Sequence, residues 1–335
     1  MGLDSAQLSI ERVHAQTSYS PTNSSLDKTI RTVSEELEVL IGTAVGDSDR
    51  LDKHPGLQDQ PNLLKTRQEY AEQIFKKLAA CQENLRKEFF VGDRISSFYI
   101  DDLLNPDDAR RIYEVFPTKE ELIKVKNFRM YKYLEFQMSC FDPLLEEIIY
   151  SFQDARVMQV ISDITGIPQL YPDETLSMSG ISLTEQGGYL HPHLDNSHDI
   201  ERKNYRALNL LYYVTPDWHA NYGGNLELWD GGVGKACRII PSQFNRLVVM
   251  MTNQSSWHSV SPVRHAGYRC CISNSYFSPQ SVEQTNYFHV TSFRGRPSRP
   301  FEDILLSGDT ILRSKIPESV KSPFRKLISP KKRPC

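Results

Sequence analysis

The sequence predicts an α+β protein built on a double-stranded β-helix, or jelly roll, with flanking helices and a helical prefix at its N-terminus. Two patterns predict the layers. Between residues 176 and 277, short runs of β-branched and aromatic residues alternate with turn residues, giving eight strands, enough for two facing sheets that can hold a small ligand between them. Ahead of them, apolar residues recur at helical spacing behind capping residues. A third observation marks the working end. The stretch Gly187-Gly188-Tyr189-Leu190-His191-Pro192-His193-Leu194-Asp195 places a histidine and a carboxylate two residues apart on an expected strand, where alternate side chains share a face.

Residues 1–24 are rich in Ser, Thr, Gln and Asn and are expected to be poorly ordered. Residues 25–92 read as a helical prefix. Ile30, Val33, Leu37, Leu40, Ile41 and Ala44 mark a first helix behind Ser24 or Ser25, with Asp27 in its first turn. A linker from Asp47 to Pro61 precedes a second amphipathic helix carried by Tyr70, Ile74, Phe75, Leu78, Leu85 and Phe89. No catalytic residue types cluster on either helix, so packing against the main domain is favoured over a lid or a dimerisation element.

Residues 93–280 form the expected jelly-roll domain with its supporting helices. A short strand from Ser97 leads into Asn105-Pro106-Asp107-Asp108, where an Asn cap, Pro at the first helical position and acids in the first turn start a helix that stops before Pro117. Further helices are expected over Pro143–Phe152 and Arg156–Thr165, the latter closed by Gly166. The strands then follow: Leu176–Leu183, Tyr189–His193, Arg206–Val214, Asn225–Trp229, Cys237–Ile240, Arg246–Thr252, His258–Val263 and Arg269–Phe277. Residues 281–335 form a basic extension packed on the core. From Ser292 onward it holds eleven Lys or Arg against four acids, but aromatics are sparse after Phe301, so a partly helical wrap is favoured over a nucleic-acid arm.

At 335 residues the chain can bury a substantial core, and its net charge of −3 supplies no basic field for nucleic acid. No run approaches the eighteen or so apolar residues of a membrane span, and residues 1–20 lack an apolar signal core. A soluble, cytoplasmic protein is expected. The six cysteines show no Cys-x-x-Cys spacing, which fits a reducing compartment.

A single His-x-Asp arises often by chance. Six of the nine histidines, however, fall between residues 191 and 265, and Ser256-Trp257-His258-Ser259-Val260-Ser261-Pro262-Val263 offers a third ligand from a later strand. His193, Asp195 and His258 together form a two-His-one-carboxylate set, which leaves three positions open on non-haem Fe(II). A pairing of His191 with His193 stays open on spacing alone. Mixed nitrogen and oxygen ligation favours His193 with Asp195.

Five ordered blocks then carry a resemblance. These are Phe98-Tyr99-Ile100-Asp101, Gly188-Tyr189-Leu190-His191-Pro192-His193-Leu194-Asp195-Asn196, Leu211-Tyr212-Tyr213-Val214-Thr215-Pro216-Asp217-Trp218, Gly223-Gly224-Asn225-Leu226-Glu227-Leu228-Trp229, and His258-Ser259-Val260-Ser261-Pro262-Val263 with Arg269. The segment from about Ser97 to Phe277 resembles the Fe(II)- and 2-oxoglutarate-dependent dioxygenases, within them the prolyl 4-hydroxylase-like group. The resemblance implies Fe(II) held by His193, Asp195 and His258. It also implies 2-oxoglutarate and molecular oxygen as cosubstrates, and it admits ascorbate. The distal carboxylate of 2-oxoglutarate would meet Arg269, whose planar fork binds carboxylates bidentately, with Tyr213 donating a hydrogen bond and Leu226 packing beside it. Arg264 is the fallback cation. The implied reaction is hydroxylation of an unactivated carbon with release of succinate and carbon dioxide. Related halogenases lack the carboxylate, so Asp195 argues for hydroxylation, with desaturation and cyclisation left open.

The resemblance leaves open an amino acid, a prolyl or peptidyl residue, or a small natural product as the expected substrate. Candidate contacts are His198 and Arg202 in the polar loop after the metal motif, and Arg206 at the start of the next strand. The contrasting reading is a jelly-roll binding module for carbohydrate or peptide. It predicts that the three metal-ligand residues do not converge. A metal-dependent hydrolase lacks a neighbouring general base and leaves Arg269 without a task.

Overall fold

A computed structural model describes residues 65–315. The first helix expected in the prefix, around Ile30 to Ala44, lies outside the described residues, as does the chain after residue 315. The second prefix helix is present as α1 (Arg67–Phe89). The Glu69 carboxylate accepts a hydrogen bond from the Thr66 backbone at 2.7 Å, which satisfies a donor at the helix start.

The helices α2 (Pro106–Glu114), α3 (Pro143–Ser151) and α4 (Ala155–Thr165) each start at an acidic or amide cap. Asn105 accepts from the Asp107 amide, Asp142 from Leu144 and Asp154 from Arg156. Gly166 then ends α4 in the left-handed conformation at φ 71°.

All eight expected strands form, with ends moved by up to four residues. They are β5 (Gly180–Glu185), β6 (Tyr189–Leu194), β7 (Tyr205–Tyr213), β8 (Leu226–Leu228), β9 (Arg238–Ile240), β10 (Arg246–Met251), β11 (His258–Val260) and β12 (Tyr268–Ser278). The strand opening the domain is β1 (Ser97–Ile100). Four more strands were not expected: β2 (Ile123–Lys126), β3 (Met130–Glu135), β4 (Tyr171–Pro172) and β13 (Ser292–Phe293). A last helix, α5 (Pro300–Lys315), follows them.

One antiparallel sheet curls through the order β1-β10-β7-β12-β5-β3-β6-β11-β8-β9, with β3 spanning the corner between its two walls. This is a jelly-roll half-barrel. The chain runs from β5 into β6 through Gly188, where a side chain has no room: a Cβ there would lie 2.5 Å from Thr184 Cγ2 and 2.9 Å from the Tyr131 carbonyl.

Residue alternation divides the core. One face of the larger wall contributes Ile181, Leu183, Leu208, Leu210, Tyr212, Leu247, Val249, Cys270 and Ile272 to a cluster shared with the helices. The other face contributes Tyr213, Val248, Met250 and Cys271, which meet Leu226 and Leu228 across the barrel interior. Polar residues that share that inner face have little water available, so each needs a partner or a ligand.

The helix α1 lies along α3, α4 and β1, and buries Tyr70, Ile74, Leu78 and Phe89. Ile74→Ala is therefore expected to lower stability by about 2–5 kcal/mol, the usual cost of emptying a core site of that size. Urea unfolding measures it. A change under about 0.5 kcal/mol, as at exposed sites, would mean that α1 is not part of the folded core.

Candidate metal and keto-acid site

Strands β6 and β11 pair antiparallel with His193 directly opposite His258, which brings the two imidazole centroids to 4.1 Å. Asp195, two residues beyond His193, completes the cluster. Its Oδ1 lies 3.6 Å from His193 Nε2 and its Oδ2 lies 3.5 Å from His258 Nε2. Three donors each about 2.1 Å from one metal at right angles would stand about 3 Å apart, so a cation fits with small inward movements.

The ring orientation suits ligation. Each Nδ1 lies against a backbone carbonyl, His193 on His191 at 3.0 Å and His258 on Ser256 at 2.9 Å, and the hydrogen bond leaves each Nε2 free for a metal. Burial and the neighbouring His258 push the His193 pKa down to about 3, so its imidazole is neutral at neutral pH. The Asp195 carboxyl stays well below the usual range despite burial, because Arg206 and the two imidazoles favour its charged form.

Asp195 is held from the larger wall. Asn209 on β7 donates to its Oδ2 at 2.6 Å, and the Arg206 guanidinium stands 3.3 Å from its Oδ1 while bonding Asn209 and Ser275. Behind His258, Glu227 accepts from Ser259 at 2.6 Å and pairs with Arg296 at 2.7 Å, and the Trp229 indole donates to Ser259 at 2.8 Å. The extension after residue 281 adds β13 to the edge of β6, where Phe293 pairs with His193 and its ring stacks on the imidazole at 5.4 Å.

The expected residues fall into three groups. His193, Asp195 and His258 converge as a single ligand cluster. His191 shares their strand face but stands outside the cluster, its Nε2 3.5 Å from Glu302 of α5, so the His191–His193 pairing is not formed.

Arg269, Tyr213 and Leu226 meet in the barrel interior. Arg269 is 4% exposed, with its guanidinium 5.3 Å above the Tyr213 ring, one nitrogen 3.3 Å from the Thr184 hydroxyl and Nε without a partner. No carboxylate pairs with it among the described residues. Gly224 makes room for it: at φ 69°, a Cβ would stand 2.9 Å from Arg269 Cδ. Tyr213 is buried with its ring beneath the guanidinium, and Ser242, which lies beside its hydroxyl, donates to the Gly224 carbonyl. Leu226 is buried beside it. Arg264 is exposed in the connection before β12, its amide bonded to Tyr222, so it does not reach the interior.

The three expected substrate contacts separate. His198 packs on Tyr205 and Phe288, and Arg202 lies 4.4 Å over the Phe288 ring. Arg206 instead turns inward to Asp195, and a guanidinium so committed has no free face for a substrate. Sequence reasoning missed Asn209, Glu227 and Phe293. Asn209 carried a signal, since it is a lone amide in the apolar run Ala207-Leu208-Asn209-Leu210-Leu211; Phe293 carried none.

Comparison with known proteins follows the same lines. Residues 179–277 match the family model described as the 2OG-Fe(II) oxygenase superfamily. No curated protein matches the chain. Among solved structures, a Pseudomonas putida prolyl-4-hydroxylase is similar over 61% of this chain and all of its own, at 16% identity and TM-score 0.45. A prolyl 4-hydroxylase from Phytophthora capsici is similar over 68% of this chain and 70% of its own, at 18% identity and TM-score 0.46. HygX from Streptomyces hygroscopicus, solved with nickel, 2-oxoglutarate and hygromycin B, is similar over 61% of this chain and 96% of its own, at 12% identity and TM-score 0.41.

The matched segment contains all three residues of the His193–Asp195–His258 cluster, which could hold a metal ion, together with Arg269. Residues 179–277 are the part of this chain that matches the 2OG-Fe(II) oxygenase superfamily model.

Proposed function

We propose that the chain hydroxylates an unactivated carbon of an amino acid, a prolyl or peptidyl residue, or a small natural product, converting 2-oxoglutarate to succinate and carbon dioxide. His193, Asp195 and His258 hold Fe(II), and Arg269 receives the distal carboxylate of 2-oxoglutarate. Fe(II) with the keto acid supplies the oxidant for oxygen-dependent C–H cleavage. The chain's own residues fix the geometry. Asn209 and Arg206 hold Asp195, the carbonyls of His191 and Ser256 orient the imidazoles, and Phe293 covers one face of His193. Tyr213 and Leu226 keep the carboxylate-binding end dry.

The observation that carries this reading is a three-donor cluster and a buried arginine, without a carboxylate partner among the described residues and with Nε unbonded, facing one barrel interior. A carbohydrate or peptide module has no use for either. Arg206 drops out of the substrate set, and His198 and Arg202 remain beside Phe288 at the loop.

Anaerobic addition of Fe(II) and 2-oxoglutarate to the full chain is expected to produce a metal-to-ligand absorption band, and oxygen to release succinate. Candidate substrates are then ranked by how they perturb the band. Absence of both the band and succinate would overturn the reading.

A further inference from the structure

The barrel interior holds a second cation that the metal and keto-acid assignments leave without a task. On β3, Tyr131 and Tyr133 both donate to Glu185, and Lys132, between them, points to the opposite face. Tyr133 pairs with Leu183, which sets Lys132 beside Thr184. Thr184 in turn pairs directly with Arg269. Lys132, Thr184 and Arg269 therefore form a row across β3, β5 and β12 on the inner face. Neighbouring strands stand about 4.8 Å apart, so the two basic residues are roughly 10 Å apart at the backbone. Both side chains span that distance, and Arg269 already leans along the row to reach the Thr184 hydroxyl at 3.3 Å.

The charges in this row are not balanced. Burial pushes the Lys132 ammonium pKa down, and Arg269 pushes it further, while Asp195 acts in the other direction. Asp195 is already committed to Arg206 and Asn209. Lys132 is half-buried and makes no hydrogen bond or ion pair among the described residues, whereas Arg269 Nε is fully buried without a partner. Two like charges directed into one end of the barrel repel each other unless an anion lies between them. The Thr184 hydroxyl supplies a neutral donor at the same place.

We propose that Lys132 is a second cosubstrate-binding residue, which shares the distal carboxylate of 2-oxoglutarate with Arg269 and the Thr184 hydroxyl. This rests on the placement of that carboxylate at Arg269. The three donors arrive from three adjacent strands, so the carboxylate is held from both sides rather than by one fork. A ligand lacking that carboxylate gains nothing from Lys132.

The test uses the full chain loaded with Fe(II) without oxygen, titrated with 2-oxoglutarate or with 2-oxobutyrate, which keeps the keto-acid end and lacks the distal carboxylate. Lys132→Met is expected to weaken 2-oxoglutarate binding roughly 10- to 100-fold, the loss typical of one charged hydrogen bond, and to leave 2-oxobutyrate binding unchanged. Lys132→Arg should recover most of the loss. Thermal melting of the ligand-free protein should place Lys132→Met at or above the native chain, because the substitution removes a charge that Arg269 repels.

An unchanged 2-oxoglutarate constant in Lys132→Met overturns the inference and leaves a substrate-facing lysine. An equal loss for both keto acids also overturns it, since Lys132 would then act at the metal end. If Lys132→Met fails to fold, the same comparison is made with Lys132→Gln, which keeps a polar head without the charge. If the native chain itself gives no 2-oxoglutarate band, the functional reading fails. If the band appears and Arg269→Ala weakens it while the Lys132 variants do not, this inference alone fails.

Discussion

Asp195→Ala is expected to abolish Fe(II) binding and oxygen-dependent succinate production, and His193→Ala to do the same. Each removes one of three donors whose contacts run 3.5–3.6 Å from atom to atom. The structure adds a second consequence for Asp195 alone. Arg206 stands 3.3 Å from that carboxylate in the interior, and losing one partner of a buried pair leaves an uncompensated charge, at a cost of about 3–5 kcal/mol. Asp195→Ala should therefore melt earlier than His193→Ala even without metal. Asp195→Gly tests the chemistry more finely, because it opens a coordination position while both imidazoles keep their carbonyl partners. Residual metal binding with lost hydroxylation is the expected result there. Full succinate production by both alanine variants would sink the triad.

The convergence of His193 and Asp195 was readable because its geometry is short-range. His193 and Asp195 are two apart on one strand, and period-two alternation alone puts them on one face. His258 was readable only as a candidate, since its arrival opposite His193 depends on how β11 returns along β6. The expected strands survived because their apolar runs sit between strong turn signals. The missed ones explain themselves. The sequence of β3 puts Met130, Lys132 and Leu134 on one face and Tyr131, Tyr133 and Glu135 on the other, so each face mixes bulky and charged residues and no clean apolar face marks it. The two residues of β13 are a strand only because β6 offers an open edge.

Residues that hold the site from a distance were the least legible. Arg206 reads as a loop-mouth cation by position, yet it packs against Asp195 because β7 and β6 lie on facing walls. Arg296 comes from an extension that composition marks only as basic, and it pairs with Glu227 inside the structure. Charge counts say nothing about which of eleven cations turns inward. Arg269 was legible for a different reason: a basic residue eleven positions after His258, with Pro262 and Gly267 between them to reverse the chain, lands on the neighbouring strand.

Arg269→Ala should raise the 2-oxoglutarate requirement by roughly 30-fold to several-thousand-fold while Fe(II) binding changes little. The distal carboxylate must leave water to enter the barrel, and a buried carboxylate without a partner carries a severe penalty. Arg269 removes it with a guanidinium that is 4% exposed, pre-set over the Tyr213 ring and short of partners at Nε. Truncating one partner of such a buried charge pair costs about 2–5 kcal/mol, which is the fold-range given. Arg269→Lys should recover part of the loss, because an ammonium keeps the charge but not the planar fork. Arg264→Ala should leave the requirement unchanged, since that side chain is exposed in the connection before β12. The measurement is the dependence of succinate release on 2-oxoglutarate, set beside Fe(II) affinity. A requirement unmoved in Arg269→Ala would remove the keto acid from this end of the barrel and leave the buried arginine as a structural cation.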